Sequence, residues 1–174
     1  KYLKLIPPLI GKPKNMLTEA QVKEWLEEVK DPEIPVLSLV DLGVITNIDI
    51  QEEGIKVAMT PTFVGCPAID YMKNDIVEVL KKHGVSEVEV DVNFEQSWNS
   101  NKITEKGRKA LKNFGLAPPP KHDLIIDLDI LEHIQCPNCG STNTDLRSPF
   151  GPTACRSIHH CYDCKETFEQ FKPI

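Results

Sequence analysis

An α+β domain followed by a small β module stapled by cysteines is the fold class that this sequence predicts, and three observations carry the prediction. Cys136 and Cys139 in CPNCG and Cys161 and Cys164 in CYDC form two Cys-x-x-Cys pairs about twenty residues apart, which is metal-site spacing. The preceding hundred residues switch repeatedly between the 3.6-residue period of helices and the two-residue period of strands. Between the two regions stands Ala117-Pro118-Pro119-Pro120, a stiff, polyproline-like run.

Taken in order, residues 1–16 form a proline-broken lead-in, and the larger domain spans 17–115. Thr18 with Gln21 reads as a capping box, and Val22, Trp25, Leu26 and Val29 follow at helical spacing, so the first helix ends near Lys30. Asp31-Pro32 and Ile34-Pro35 then force an ordered, extended or turning loop. Val44, Thr46, Ile48 and Ile50 alternate as a strand, and Ile55, Val57 and Met59 supply a hairpin partner across QEEG. Pro67 suits the first position of a second helix with Cys66 as its N-cap. That helix presents Ile69, Met72, Ile76, Val79 and Leu80 on one face and stops at Gly84. Val88, Val90, Val92 and Phe94 alternate as a third strand returning alongside the hairpin. A short helix from about Thr104 to Phe114 ends at Gly115, residues 116–123 form the Pro-rich linker, and 124–174 form the cysteine module, with LIIDLDIL at 124–131 as its leading strand.

A composition of 40 % hydrophobic residues and a formal charge of −6 over 174 residues describe an ordinary soluble chain with no electrostatic pull toward nucleic acid or anionic membrane. From Cys136 to Ile174, Arg147, Arg156, Lys165 and Lys172 are cancelled by Asp145, Asp163, Glu166 and Glu169. Neither a nucleic-acid nor a membrane partner is therefore expected. The lead-in is interrupted by Pro7 and Pro8, so it lacks the continuous apolar core of a signal peptide. Six cysteines that do not punctuate the whole chain argue against a disulfide framework, and a reducing cytoplasm is the expected compartment.

Two cysteine knuckles complete a tetrahedral shell with no open position, so a structural zinc ion held by Cys136, Cys139, Cys161 and Cys164 is expected, with rubredoxin-like iron as the competing occupant. His159 and His160 adjoin the second knuckle and are expected beside the ligand set rather than in it. Cys66 differs from these: at a helix start, free amides and the macrodipole favour a thiolate able to act as a nucleophile or metal ligand, while the competing reading is a small, buried apolar side chain. Asp31 and Glu33, with Asp41 nearby, could serve acid–base or metal chemistry, or simply order their turns. Cys155 in FGPTACRS has no helix-start signal and reads as ribbon packing or a fifth thiol near the metal. A Cys-His hydrolase is poorly supported, since His83 falls at the far end of the second helix and His122 in the linker.

DPEIPVLSLVDLG at 31–43 and TPTFVGCPAID at 60–70 resemble the small iron–sulfur assembly domain family that includes SufT, over about Leu17 to Phe94. SWNSNKITEKGRKALKNFGLAPP at 97–119, with CPNCGSTNT, SPFGPTACRS and CYDCKETFEQFK, resembles the tail of the PaaD family, the D (or J) subunits of ring-1,2-phenylacetyl-CoA epoxidase systems. The resemblance implies an accessory or maturation factor of aerobic phenylacetate degradation that assists iron or iron–sulfur cluster insertion without being catalytic itself. It also implies Cys66 as the iron or iron–sulfur residue, presenting its cargo transiently, with Asp31, Glu33, Thr60, Thr62 and Gly65 in support. The implied partners are other epoxidase components or iron–sulfur assembly proteins, and a homodimer sharing a cluster between two exposed thiols. The absence of any Glu-x-x-His agrees with a chain that does not hold a di-iron centre. A structural docking component of the oxygenase and a general iron–sulfur assembly factor are the alternative functions.

Overall fold

The computed structural model describes residues 17–122 and 134–173; the lead-in 1–16 and the strand expected over 124–131 lie outside the described residues. The helix α1, Glu19–Leu26, opens on the capping box: the Gln21 N–H donates to Thr18 Oγ1 at 3.3 Å while Gln21 Oε1 accepts from the Thr18 N–H at 3.1 Å. Val22, Leu26 and Val29 are fully buried, as the helical spacing requires, and each such side chain contributes about 1.5–3 kcal/mol relative to exposure.

Strands β1, Ile45–Ile50, and β2, Gly54–Met59, form the expected antiparallel hairpin. The simple alternation read for the first strand is broken by a register shift between Ile45 and Asn47, so Val44 turns into the core and Ile50 is left at the surface. Helix α2, Ile69–Lys82, buries Met72, Ile76, Val79 and Leu80 and leads to β3, Glu87–Val92. Rather than extending an antiparallel meander, β3 pairs in parallel with β2. A parallel neighbour needs a crossover connection, and α2 is that crossover. The sheet order β1-β2-β3 therefore places β2 at the centre, where Val57 and Met59 are fully buried.

Helix α3, Glu105–Phe114, is capped by the Thr104 hydroxyl and ends at Gly115 with φ 91°, a left-handed conformation that favours glycine. Asp41 ties this helix to the loop before β1: Oδ1 accepts from the Thr104 hydroxyl at 2.6 Å, and Oδ2 from Ser38 at 3.1 Å. Gly43, with φ 73°, lets the Lys102 backbone approach so closely that a Cβ would lie 2.6 Å from its carbonyl oxygen.

The residues expected to open the linker do not run free. Leu116–Ala117 form β4, which pairs in parallel with β7, Thr167–Phe171, inside a sheet of order β4-β7-β6-β5 whose other strands are β5, Thr144–Ser148, and β6, Arg156–Cys161. Arg108 of α3 also donates from Nη1 to the Pro119 carbonyl and from Nη2 to the Ser100 carbonyl. Phe171, at the end of the cysteine module, is 1 % exposed and sits in the core of the N-terminal domain beside Trp98, ring centroids 5.8 Å apart. The two regions thus share apolar packing as well as a sheet edge. Among the described residues no helix is long and apolar enough to cross a membrane.

Candidate metal sites

The four paired cysteines converge. Cys136 and Cys139 lie in the turn before β5, and Cys161 and Cys164 at the end of β6 and the turn after it; all four sulfurs lie within 4.8 Å of one another. The knuckles are built alike: the Gly140 N–H donates to the Cys136 carbonyl and the Lys165 N–H to the Cys161 carbonyl, each at 2.9 Å. Gly140 and Lys165 both take positive φ, 78° and 67°. Ser141 and Asn143 of one knuckle donate to Asp163 of the other, at 2.5 and 2.8 Å, locking the pair.

Tetrahedral thiolate coordination at about 2.3 Å separates neighbouring sulfurs by about 3.8 Å. The observed Cys136–Cys164 and Cys139–Cys161 separations of 3.7 and 3.6 Å fit that shell and are far too long for disulfides. The thiols share charge unevenly: the Cys164 amide, ahead of the opposing effect of burial and with help from the Asp163 amide, pulls Cys161 down to about 7, whereas at Cys164 the Glu166 amide is outweighed by burial and the neighbouring thiols, which push that sulfur up to about 12. His159 and His160 stay outside the group. His159 is fully buried, with Nε2 3.0 Å from Ser157 Oγ and its ring stacked on Phe168, whereas His160 meets Tyr162 edge-on.

Cys66 lies in a second, separate place. It is not the N-cap of α2; Ala68 holds that position, without a side-chain cap, because the Cys66 carbonyl already accepts from the Ile69 N–H in the turn leading into the helix. The expected thiolate stabilisation is correspondingly weak. Burial pushes the Cys66 thiol up; the Ala68 amide opposes this and the Glu33 and Asp31 charges add to it, so the resting group is a thiol.

Asp31, Glu33, Thr62, Gly65 and Cys66 all line one cavity of about 100 Å³. Thr60 does not line it; it is buried beyond the end of β2, where its N–H donates to the Val44 carbonyl at 2.9 Å. Asp31 orders its own loop, Oδ1 accepting from the N–H groups of Glu33 and Ile34 at 2.9 Å each, and burial, ahead of these two opposing bonds, raises its carboxyl above the usual range. His83 cannot assist Cys66, because it closes the opposite end of α2, stacked on Trp25 and 2.7 Å from Glu28.

Sequence reasoning missed the far wall. Thr153, Ala154 and Cys155, from the turn before β6, line the same cavity as Cys66, with Phe171 also in its lining. The one sequence signal was a cysteine outside both knuckle pairs.

Comparison with known proteins agrees with both halves of this geometry. The family model described as an iron–sulfur cluster assembly protein matches residues 19–92, and that described as the PaaD zinc beta ribbon domain matches residues 127–172. A protein of Escherichia coli (strain K12), named as a candidate D component of 1,2-phenylacetyl-CoA epoxidase, is 36 % identical over 149 residues, 86 % of this chain and 89 % of that protein. The chain belongs to the PaaD family. A second relative, an Fe-S protein maturation auxiliary factor of Porphyromonas gingivalis (strain ATCC BAA-308 / W83), is 40 % identical over 91 residues, 51 % of this chain and 86 % of that protein. Among solved structures, a domain of unknown function from Bacillus anthracis superposes with a TM-score of 0.51 at 29 % identity, covering 53 % of this chain and 90 % of its own. The single-domain relatives thus account for about half of this PaaD-family chain, and the Escherichia coli relative for most of it.

Proposed function

We propose that this chain is an accessory maturation factor of a ring-1,2-phenylacetyl-CoA epoxidase system, and that it carries iron or an iron–sulfur cluster on Cys66 to an oxygenase component. The observation that carries the reading is the position of Cys66: partly exposed, in a loop of the segment matched by the assembly family, beside a cavity walled by the Asp31–Glu33 loop. Phe63 and Val64 are 50 % and 75 % exposed next to it and offer apolar area on which a recipient can seat. Cargo held by few ligands near the surface is cargo that can leave. Names of the relatives, a candidate epoxidase component and an Fe-S maturation factor, support the recipient and the class of cargo.

In this reading residues 17–115 are the assembly-type domain, 124–174 the ribbon, and 116–123 the segment joining them. Zinc on Cys136, Cys139, Cys161 and Cys164 is structural: four thiolates leave no position for water or substrate, and the small core of Ala117, Ile134, Cys136, Cys161 and Phe168 needs the metal's contribution. The chain works in the cytoplasm with epoxidase components, without a catalytic step of its own.

In cells expressing the epoxidase system, Cys66→Ser is expected to leave the oxygenase component present but poor in iron and low in activity. Full iron loading and activity in that strain would refute carriage by Cys66 and favour a docking role. Loss of several unrelated iron–sulfur enzymes at once would instead indicate a general assembly factor.

A further inference from the structure

The ribbon gives the Cys66 cavity a second sulfur. We propose that Cys66 and Cys155 act together as a two-thiol site for ferrous iron, taken alone or as part of a small iron–sulfur cluster, so that the cargo site is shared between the assembly-type domain and the ribbon. This deepens the reading of Cys66 as the carrier residue and rests on it.

Three observations carry the pairing. Both cysteines line the same cavity of about 100 Å³, well above the roughly 10–15 Å³ that a single water needs. Both pack against the main apolar core, so neither is on a free-swinging tail. Third, the turn that bears Cys155 is fixed to the Glu33 loop, which also lines the cavity. Arg156, the next residue and 9 % exposed, donates from Nη2 to the Glu33 carbonyl at 2.8 Å and is oriented through Nη1 by Glu169 at 2.9 Å. The Cys155 carbonyl also accepts from the Lys172 N–H at 2.9 Å, next to the buried Phe171.

The donor set suits ferrous iron. Thiolates select borderline and soft metals, and the carboxylates of Asp31 and Glu33 in the same wall add oxygen donors and negative charge. Among the described residues only the four ribbon thiols bring three or more ligand atoms within 4.8 Å, so no three of the cavity groups converge at rest. A single ion draws the two sulfurs together, and a cluster spans them. On binding, each thiol gives its proton to solvent and its sulfur forms a bond to iron; the iron arrives as Fe²⁺ or in a cluster already assembled, whose outgoing thiolate ligands leave with the released protons, and no electron is transferred. Such a site is open enough to release its cargo, unlike the closed four-sulfur shell.

The test is anaerobic alkylation of the zinc-loaded full chain, followed residue by residue by mass spectrometry, without ligand, with Fe²⁺ alone, and with a preformed thiolate-ligated [4Fe–4S]²⁺ cluster. Cys66 and Cys155 are expected to be protected together, each slowed at least about tenfold in one of the iron arms. Protection by Fe²⁺ alone identifies the ion as cargo, and protection only by the preformed cluster identifies a cluster. Protection of Cys66 while Cys155 reacts as before overturns the pairing but leaves the carrier reading intact; protection of neither in both arms overturns both. Fe²⁺ titration of Cys155→Ser, with zinc content and circular dichroism as folding controls, is expected to show at least about tenfold weaker binding, and unchanged binding overturns the proposal.

Discussion

Arg156 of the ribbon donates to the backbone carbonyl of Glu33, 123 residues earlier, at 2.8 Å, and so fastens the cysteine module to the loop that walls the Cys66 cavity. The guanidinium is buried and held from its other side by Glu169. Its loss removes a part-buried, charge-assisted hydrogen bond, which costs about 1.5–3 kcal/mol. Arg156→Ala is therefore expected to lower stability by that amount in urea unfolding. It should also speed alkylation of both Cys66 and Cys155 in the apo chain, as the two walls come apart; unchanged rates at both thiols would contradict the clamp.

Phe171 makes the two regions stability partners. Its ring is buried against Trp98 and the core around Leu42 and Val44 rather than within the ribbon's own cluster. Phe171→Ala is expected to cost about 3–5 kcal/mol, with the loss visible in the tryptophan fluorescence transition, to which Trp25 and Trp98 of the N-terminal domain both contribute, and not only in ribbon signals. A ribbon that melts alone, with the tryptophan transition unmoved, would show that the packing is not shared.

Asp41 contributes through ionisation. Desolvation raises its pKa, but hydrogen bonds from Thr104, Lys106 and Ser38 outweigh this and hold the folded value below the usual one. A depressed carboxylate gives stability that is fully present above the unfolded pKa of about 4 and is lost as pH falls through the folded pKa. Asp41→Asn is thus expected to cost about 1–3 kcal/mol at neutral pH, and the gap to wild type should shrink below about pH 4. A gap that stays constant as the pH is taken well below that point would rule out the charge as its source.

The Cys66 thiol responds to its carboxylate neighbours. Burial is the largest influence raising its pKa, and Glu33 and Asp31 raise it further. Removing either charge lowers that pKa and increases the thiolate fraction near neutrality. Glu33→Gln is expected to shift the pH profile of Cys66 alkylation to lower pH, while a shift in the opposite direction would show that Glu33 does not act on this sulfur.

Much of the fold was legible in the chain, for physical reasons that differ from element to element. Thr18 and Gln21 announce a helix start because capping is local, and the two Cys-x-x-Cys pairs announce a metal shell because knuckle geometry is local as well. The parallel pairing of β3 was not legible: alternation in Val88, Val90 and Val92 fixes a strand and its faces, but not its direction beside β2. The register shift after Ile45 was hidden for the same reason. At the Cys66 cavity, sequence pointed to the loop residues 31–33 and 62–66, which line it together, and it assigned to Cys66 the helix cap that Ala68 holds. Cys155 was missed because its contribution exists only once Arg156 and Phe171 have docked the ribbon on a loop more than 120 residues away.

The iron proposed on Cys66 and the metal of the ribbon cysteines are to be told apart by a single substitution. Zinc, iron and acid-labile sulfide are to be measured per chain in anaerobically purified and reconstituted wild type and Cys66→Ser. One zinc in each, with iron retained only by wild type, is the predicted result; equal iron in both, or none in either after reconstitution, would contradict it.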